Sequence, residues 1–430
     1  MRLVIDLLRY EPRARVFFAA LAQSALGTGA GYVALLLVAL DRFDSPWAIG
    51  LVLLADVVPA MLLGPLFGAL ADRWPRRRCV VLADVLRAIA FLGLVIVDGF
   101  VGTFLLALLA GVGTGLFTPA ALASLPSLVE ERRLPGATSL FGAIADLGFI
   151  AGPAIAAAVL LVGGPETILG ANAATFALSG LALAFLRFGE APPVSQREGP
   201  RPSLLRETRD GVVATAGMPG LRLILVASGA ALLFGAIFNV AQPLLARDEL
   251  GASDAGFAVL VTAYGFGFIV GTLSGARGGD LRVLRRRYLT GAFLMAFGFA
   301  TSGLAPSVGA AVVTFLAAGY GNGMLLIYER LLIQALVPDA LAGRIFGIRD
   351  AITAWAFALG FLAGPLLLDV VGTRATISIA GVCGLVVWLV TAIALKRSGL
   401  SAHPALTLAG GSGADLAWQR RPGEHGADAL

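Results

Sequence analysis

The sequence predicts an all-α membrane protein with twelve transmembrane helices in two pseudo-symmetric six-helix bundles and both termini cytoplasmic. Three observations predict it. Of 430 residues, 58% are hydrophobic and only 14% are Asp, Glu, Lys or Arg, where a soluble domain carries about 25% charged residues. The apolar residues form long runs, and a helix needs roughly 20 of them to cross a bilayer. Basic residues gather in every second break between the runs, as cytoplasmic loops do.

The runs place helices at 14–40, 47–71, 79–97, 101–128, 136–162, 166–187, 221–246, 254–276, 287–305, 308–336, 343–368 and 373–395. The first is too long for a cleaved signal peptide, and a second follows at once. Arg2, Arg9, Arg13 and Arg15 lie at the N-terminus, before or at the very start of the first helix. Arg73, Arg76, Arg77 and Arg78 follow the second, Arg132 and Arg133 the fourth, and Arg277, Arg282, Arg285, Arg286 and Arg287 flank or enter the eighth break. Arg330, Arg344 and Arg349 surround the tenth. The odd-numbered breaks hold only Arg42, Arg247 and Arg374 among acids such as Asp41, Asp98, Glu166, Glu249 and Asp369. The Pro-containing, mixed-charge segment 189–220 reads as a cytoplasmic linker between an N-terminal half (1–188) and a C-terminal half (221–396). The Gly-rich polar tail 397–430 reads as disordered.

A pI near 9.7 raises nucleic acid as a partner, but the net charge is only +5 and topology places the basic residues. No nucleotide loop, metal pattern or cofactor motif is present. Cys79 and Cys383 form no metal-ligand spacing and read as packing residues. His403 and His425 lie in the tail, and Lys396 is the only lysine. A membrane-embedded enzyme would need a convergent His/Asp or Cys pair, and the helices hold none.

The halves share landmarks about 207 to 212 residues apart. Gly148-Phe-Ile-Ala-Gly152-Pro153 recurs as Gly360-Phe-Leu-Ala-Gly364-Pro365, and Gly64 and Gly68 before one Arg cluster recur as Gly271 and Gly275 before another. Repeated halves around a midplane site are a transporter architecture.

The stretch Gly68-Ala-Leu-Ala-Asp72-Arg73-Trp74-Pro75-Arg76-Arg77-Arg78 resembles the G-x-x-x-D-R-x-G-R-R signature of the major facilitator superfamily, with Pro75 where the signature has Gly. The resemblance implies a cytoplasmic gate built from Gly64, Gly68, Asp72, Arg73, Arg76 and Arg77. Gly68 would let the second helix approach the eleventh closely. Glu329, Arg330, Arg349 and Asp350 would be gate partners in the other half. Gly148, Gly152 and Pro153 resemble the fifth-helix motif of the export branches, with Gly360, Gly364 and Pro365 as its echo. The fourth helix lacks the intramembrane Arg of the drug-antiporter motif. That absence, with Ala83-Asp84-Val-Leu-Arg87-Ala88, resembles the macrolide-efflux and enterobactin-export branch.

Ionisable groups inside a membrane are costly and are functional candidates by default. Asp56, near the midplane of the second helix, and Asp146 on the fifth are the candidates for proton or cation binding. Asp84 and Arg87 are spaced as a structural ion pair, as are Arg349 and Asp350. Gln23, Thr28, Tyr32, Asn239, Gln242, Tyr264, Asn322 and Trp355 are the polar or aromatic groups available to a ligand. A mostly apolar pocket with a few polar groups suits an amphiphile.

The expectation is a monomeric secondary transporter in a bacterial inner membrane, needing no cofactor. It would export a drug, antibiotic or secondary metabolite by proton antiport and alternating access. A siderophore exporter, a nutrient uptake permease of the same fold and a non-transporting sensor remain open from sequence.

Overall fold

The structure, a computed structural model, describes residues 9–63, 66–68, 70, 74–186, 188 and 218–397. Gly64, Asp72 and Arg73 of the expected gate lie outside the described residues, as do most of the linker and the tail.

All regular structure among the described residues is helical. The first half contains α1 (Pro12–Phe43), α2 (Pro46–Leu62), α3 (Arg76–Ile96), α4 (Phe100–Ser124), α5 (Leu134–Val159) and α6 (Pro165–Phe185). The second contains α7 (Pro219–Leu244), α8 (Asp254–Leu273), α9 (Leu281–Ser302), α10 (Val308–Leu336), α11 (Asp339–Val371) and α12 (Thr373–Arg397). Proline sits in the first turn of α1, α2, α5, α6 and α7, where its missing N–H costs nothing. Ser253, Asp280 and Ser307 cap α8, α9 and α10 by accepting a backbone N–H. Asp44, in the left-handed region at φ 43°, closes α1 by donating its N–H to the Leu40 carbonyl.

Ten of the described helices are long and apolar enough to cross a membrane. α2 is apolar but only 17 residues long, because the chain bends at Leu63 where the sequence pattern runs on. α9 begins with Arg282, Arg285, Arg286 and Arg287 in its first two turns.

The packing repeats between the halves. α1 packs on α5 and α6, α3 on α4 and α6, and α2 on α4. In the same order, α7 packs on α11 and α12, α9 on α10 and α12, and α8 on α10. The halves meet through two crossed pairs, α2 with α11 and α5 with α8. The core is joined at one end and split at the other. The largest buried cluster runs from Val33–Leu40 of α1 to Ala236 and Ala241 of α7, Ala246 just after it, and Phe257 and Val261 of α8. At the opposite end, one cluster around Phe17, Phe117 and Leu183 belongs to the first half alone. Two others, around Tyr328 and around Ile345, belong to the second.

Candidate functional site: a cavity between the halves

A cavity of about 390 Å³ lies between the halves. α1 contributes Tyr32, α5 contributes Asp146 and Pro153, α7 contributes Asn239 and Gln242, and α10 contributes Asn322. Most of the remaining wall is apolar, with Phe268 and Phe357 as its large aromatics.

At the joined end the polar groups form one network. Gln242 donates to Asn239 Oδ1 at 3.3 Å and shares a hydrogen bond with Tyr32, across the two halves. Asn322 Nδ2 donates to the Tyr264 hydroxyl at 2.9 Å. Tyr264 and Asp56 both act electrostatically on Tyr32. Toward the split end the cavity becomes charged, with Asp146 on one wall and Arg349 on the other.

The two candidate carboxylates are therefore not equivalent. Asp146 faces the cavity and feels the charge of Arg330 from the other half. Asp56 is half-buried and does not line the cavity; its backbone lies against α4, where a Cβ on Gly111 would sit 2.3 Å from the Asp56 carbonyl oxygen. Asp56 acts electrostatically on Tyr32 of the cavity network. Gln23 is elsewhere: its Nε2 donates to the Thr175 carbonyl at 2.7 Å and ties α1 to α6. Thr28 donates to its own helix at Ser24, and Trp355 is 61% exposed on the outside of α11.

The small-residue motifs are helix crossings. On α5, a Cβ at Gly148 would sit 2.5 Å from the Ala25 carbonyl oxygen, and one at Gly152 2.5 Å from Gly29 Cα. Gly360 and Gly364 of α11 meet Leu233, Ala236 and Val240 of α7 in the same way. Pro153 lines the cavity, whereas Pro365 packs against α2. The partner glycine Gly29 was not singled out from sequence, although Ala25 and Gly29 are themselves a small-xxx-small pair.

Two parts of the expected gate lie among the described residues. Gly68 makes no close crossing in this state, since a Cβ there would have nothing within 4 Å. The crossing lies near the other end of α2, at Gly50, whose Cβ would sit 2.3 Å from the Phe361 carbonyl oxygen and 2.8 Å from Pro365. The physical reason is the split core, which holds the Gly68 end apart from the second half. Arg349 makes its described ion pairs inside the second half, donating to Glu329 at 3.2 Å and to Asp350 at 3.0 Å, and Glu329 is 1% exposed. Arg77 donates to the Ala184 carbonyl of α6. Arg76 Nη1 is buried without a hydrogen-bond partner among the described residues.

Asp84 and Arg87 form a buried ion pair. The guanidinium lies between the rings of Phe117 and Phe176, 4.2 and 4.3 Å from their centroids, which adds cation–π attraction where water is excluded.

Ion pairs close the joined end. Arg247, after α7, pairs with Asp41 of α1 across the halves and lies 3.6 Å from Asp254 of α8. Trp47 Nε1 donates to Asp369 at 2.9 Å, also across the halves. Arg42 lies 3.6 Å from Asp98 and 3.7 Å from Glu166, and Arg374 pairs with Glu249 at 2.7 Å.

A repeated bundle with a central cavity is the geometry of a carrier, and comparison with known proteins agrees. A family model described as transmembrane secretion effector, of the major facilitator type, matches residues 10–412. The chain belongs to this family. It is 27% identical over 384 residues to the uncharacterized MFS-type transporter YfiS of Bacillus subtilis, covering 87% of this chain and 91% of the relative. It is 26% identical to the multidrug efflux pump Tap of Mycolicibacterium fortuitum, covering 85% and 91%. It is 22% identical to macrolide efflux protein A of Streptococcus pyogenes, covering 78% and 84%. Among solved structures, the nucleoside transporter NupG aligns with TM-score 0.71 at 15% identity, covering 90% of this chain and 99% of the other. A bacterial homolog of the human lysosomal transporter Spinster, inward-facing and unoccupied, aligns with TM-score 0.70 at 14% identity, covering 91% and 99%. These structural likenesses establish the fold alone. This member of the secretion effector family is a multi-pass membrane transporter of the major facilitator type, with efflux proteins among its relatives. It is not an enzyme.

Proposed function

We propose that this transporter exports a hydrophobic or amphiphilic small molecule from a bacterial cytoplasm, exchanging it for protons by alternating access of two six-helix halves. The carrying observation is the cavity itself: apolar walls, a few polar groups at one end and the Asp146 carboxylate on the wall at the other. Such a surface suits a ligand with an extended apolar body and a small polar or cationic group.

In this reading all twelve helices cross the inner membrane, both termini are cytoplasmic, and the split end is the cytoplasmic end, following the arginine distribution. The state described is therefore inward-facing. Segments 1–188 and 221–396 act as the moving units, joined by the linker. Substrate enters at the split end beside Asp146. Proton uptake at Asp146 or Asp56 from outside displaces it, and release of that proton inside resets the carrier. The similarity to macrolide and multidrug efflux proteins favours export over uptake.

The test is proteoliposomes carrying an imposed pH gradient, with a cationic amphiphilic dye as probe. Gradient-driven dye movement is the expected result, slowed strongly by Asp146→Asn or Asp56→Asn. Full-rate exchange in either single variant removes that residue from the coupling role. Dye movement indifferent to the pH gradient removes proton antiport.

A further inference from the structure

The second half carries a basic patch at the split end, on the outer edge formed by α9 and α12. The uncharged run of α9 starts after Arg287, and that of α12 stops at Leu395. The two borders lie at one level, because Arg285 Nη1 donates to the Leu395 carbonyl at 3.2 Å. Leu284, Tyr288 and Leu395 are buried in one cluster beside that bond. Arg285 is thereby spent on holding α9 to α12. Arg287 is spent on the Gly278 carbonyl and the Tyr328 hydroxyl, at 2.9 and 3.0 Å. Four other bases remain exposed: Arg282, one turn before Arg285, Arg286 beside it, and Lys396 and Arg397, directly after Leu395. None of these four side chains has a hydrogen-bond or ion-pair partner among the described residues. The carboxylate nearest in sequence, Asp280, accepts the Val283 N–H at 2.8 Å as the α9 cap.

The outer face of α12 turns apolar away from the patch. Val386, Val390 and Ile393 are exposed and precede Arg397 at helical spacing, so they form one stripe that ends at that base. On α9 the exposed Phe297 lies toward the same end. The first half repeats the pinned border, with Arg77 of α3 donating to the Ala184 carbonyl of α6. Placement of bases by topology asks only that they lie in the loops. Here they stand on two helices, on either side of the Arg285–Leu395 bond, above a stripe that faces lipid. Basic groups between spanning helices at the membrane surface are the surface that an anionic lipid headgroup fits.

We propose that the α9–α12 edge is a binding site for an anionic diacyl phospholipid of the leaflet at the split end. Its phosphate sits among Arg282, Arg286, Lys396 and Arg397, and a chain runs down the Val386–Val390–Ile393 stripe toward Cys383. The occupant is a membrane lipid rather than free phosphate because the apolar stripe continues the basic patch. Cys383 is exposed and lies roughly 20 Å along α12 from Arg397, at about 1.5 Å per residue, so it can report on the chain.

The experiment places a fluorophore on Cys383 of the full chain, with Cys79 replaced, in nanodiscs of phosphatidylcholine. Chain-brominated phosphatidylglycerol or chain-brominated phosphatidylcholine is then titrated in. The anionic lipid should quench at a much lower mole fraction. Each base removed should cost about fivefold of that preference, the Boltzmann factor of about 1 kcal/mol per basic residue near the surface. Arg282→Gln with Arg286→Gln, and separately Lys396→Gln with Arg397→Gln, should each weaken it, and all four together should abolish it. The two double variants keep the test available should the quadruple variant not fold. Neutralising four exposed arginines of the first half, Arg13, Arg15, Arg78 and Arg132, should leave the preference intact. Equal quenching by the two lipids in the native protein overturns the site. An equal loss in the first-half variant also overturns it, since a general surface potential then suffices. Loss of the preference on adding inorganic phosphate, but not chloride at the same ionic strength, assigns the patch to free phosphate and overturns the lipid. None of these outcomes depends on what the central cavity carries.

Discussion

Replacing Arg247 by Ala tests whether the joined end is a latch. Arg247 makes two ion pairs, and they do different work. Asp254 belongs to the same half, so that contact is kept when the halves part. Asp41 belongs to the other half, so only that pair resists opening. Both partners of the Asp41 pair are about one-third exposed, at 32% and 35%, and such pairs contribute about 0.2–1 kcal/mol. Removing it should raise the open population at this end by about 1.4- to 5-fold, since 1.4 kcal/mol is a factor of ten. The assay is labelling of Phe357→Cys, a cavity position, by an impermeant maleimide from the Arg247 side, with Cys79 and Cys383 replaced. Arg247→Ala and Asp41→Asn should accelerate labelling to a similar degree, the double variant should be no faster than either, and high salt should shrink the difference. Equal labelling rates in native protein and both single variants would refute the reasoning and leave the closed end to its apolar cluster and the Trp47–Asp369 bond.

Other predictions follow from the same packing. Gly50→Ala should lower thermal stability by about 1–3 kcal/mol, because a Cβ there meets α11 backbone, whereas Gly68→Ala should leave it unchanged or slightly raised; a melting series in detergent separates them. Arg87→Ala should cost about 3–5 kcal/mol by leaving Asp84 buried without its partner, and Asp84→Leu combined with Arg87→Met should recover most of that loss, read from the same melts. Asp146→Asn should weaken binding of a cationic amphiphile more than that of its neutral analogue, measured by competition against one fluorescent probe.

The helices were legible in the sequence because membrane spans are apolar runs bounded by charge. The repeat was legible because the same crossing, α1 on α5 and α7 on α11, demands small residues in both halves. Even the exceptions carried information. Arg42, Arg247 and Arg374 break the basic-residue alternation, and each turns out to be tied into an ion pair at the joined end. What the sequence did not carry was partner choice. Asp56 and Asp146 look alike as lone acids in apolar runs, yet only Asp146 lines the cavity. Glu329 and Arg349 lie on different helices with no spacing signal between them, yet packing buries the acid against the guanidinium. Gly50 and Gly68 lie on one apolar run, and only the split of the core decides which of them touches α11.

The central claim is that the two halves rock about this cavity, so that one end closes as the other opens. Two spin-label pairs test it most directly, one bridging Gly142 and Gly347 at the split end and one bridging Asp44 and Asp369 at the joined end. Measured by pulsed electron resonance in nanodiscs across a pH series, the two distances should change in opposite senses, one shortening as the other lengthens. Distances that stay fixed, or that lengthen together, would contradict the account.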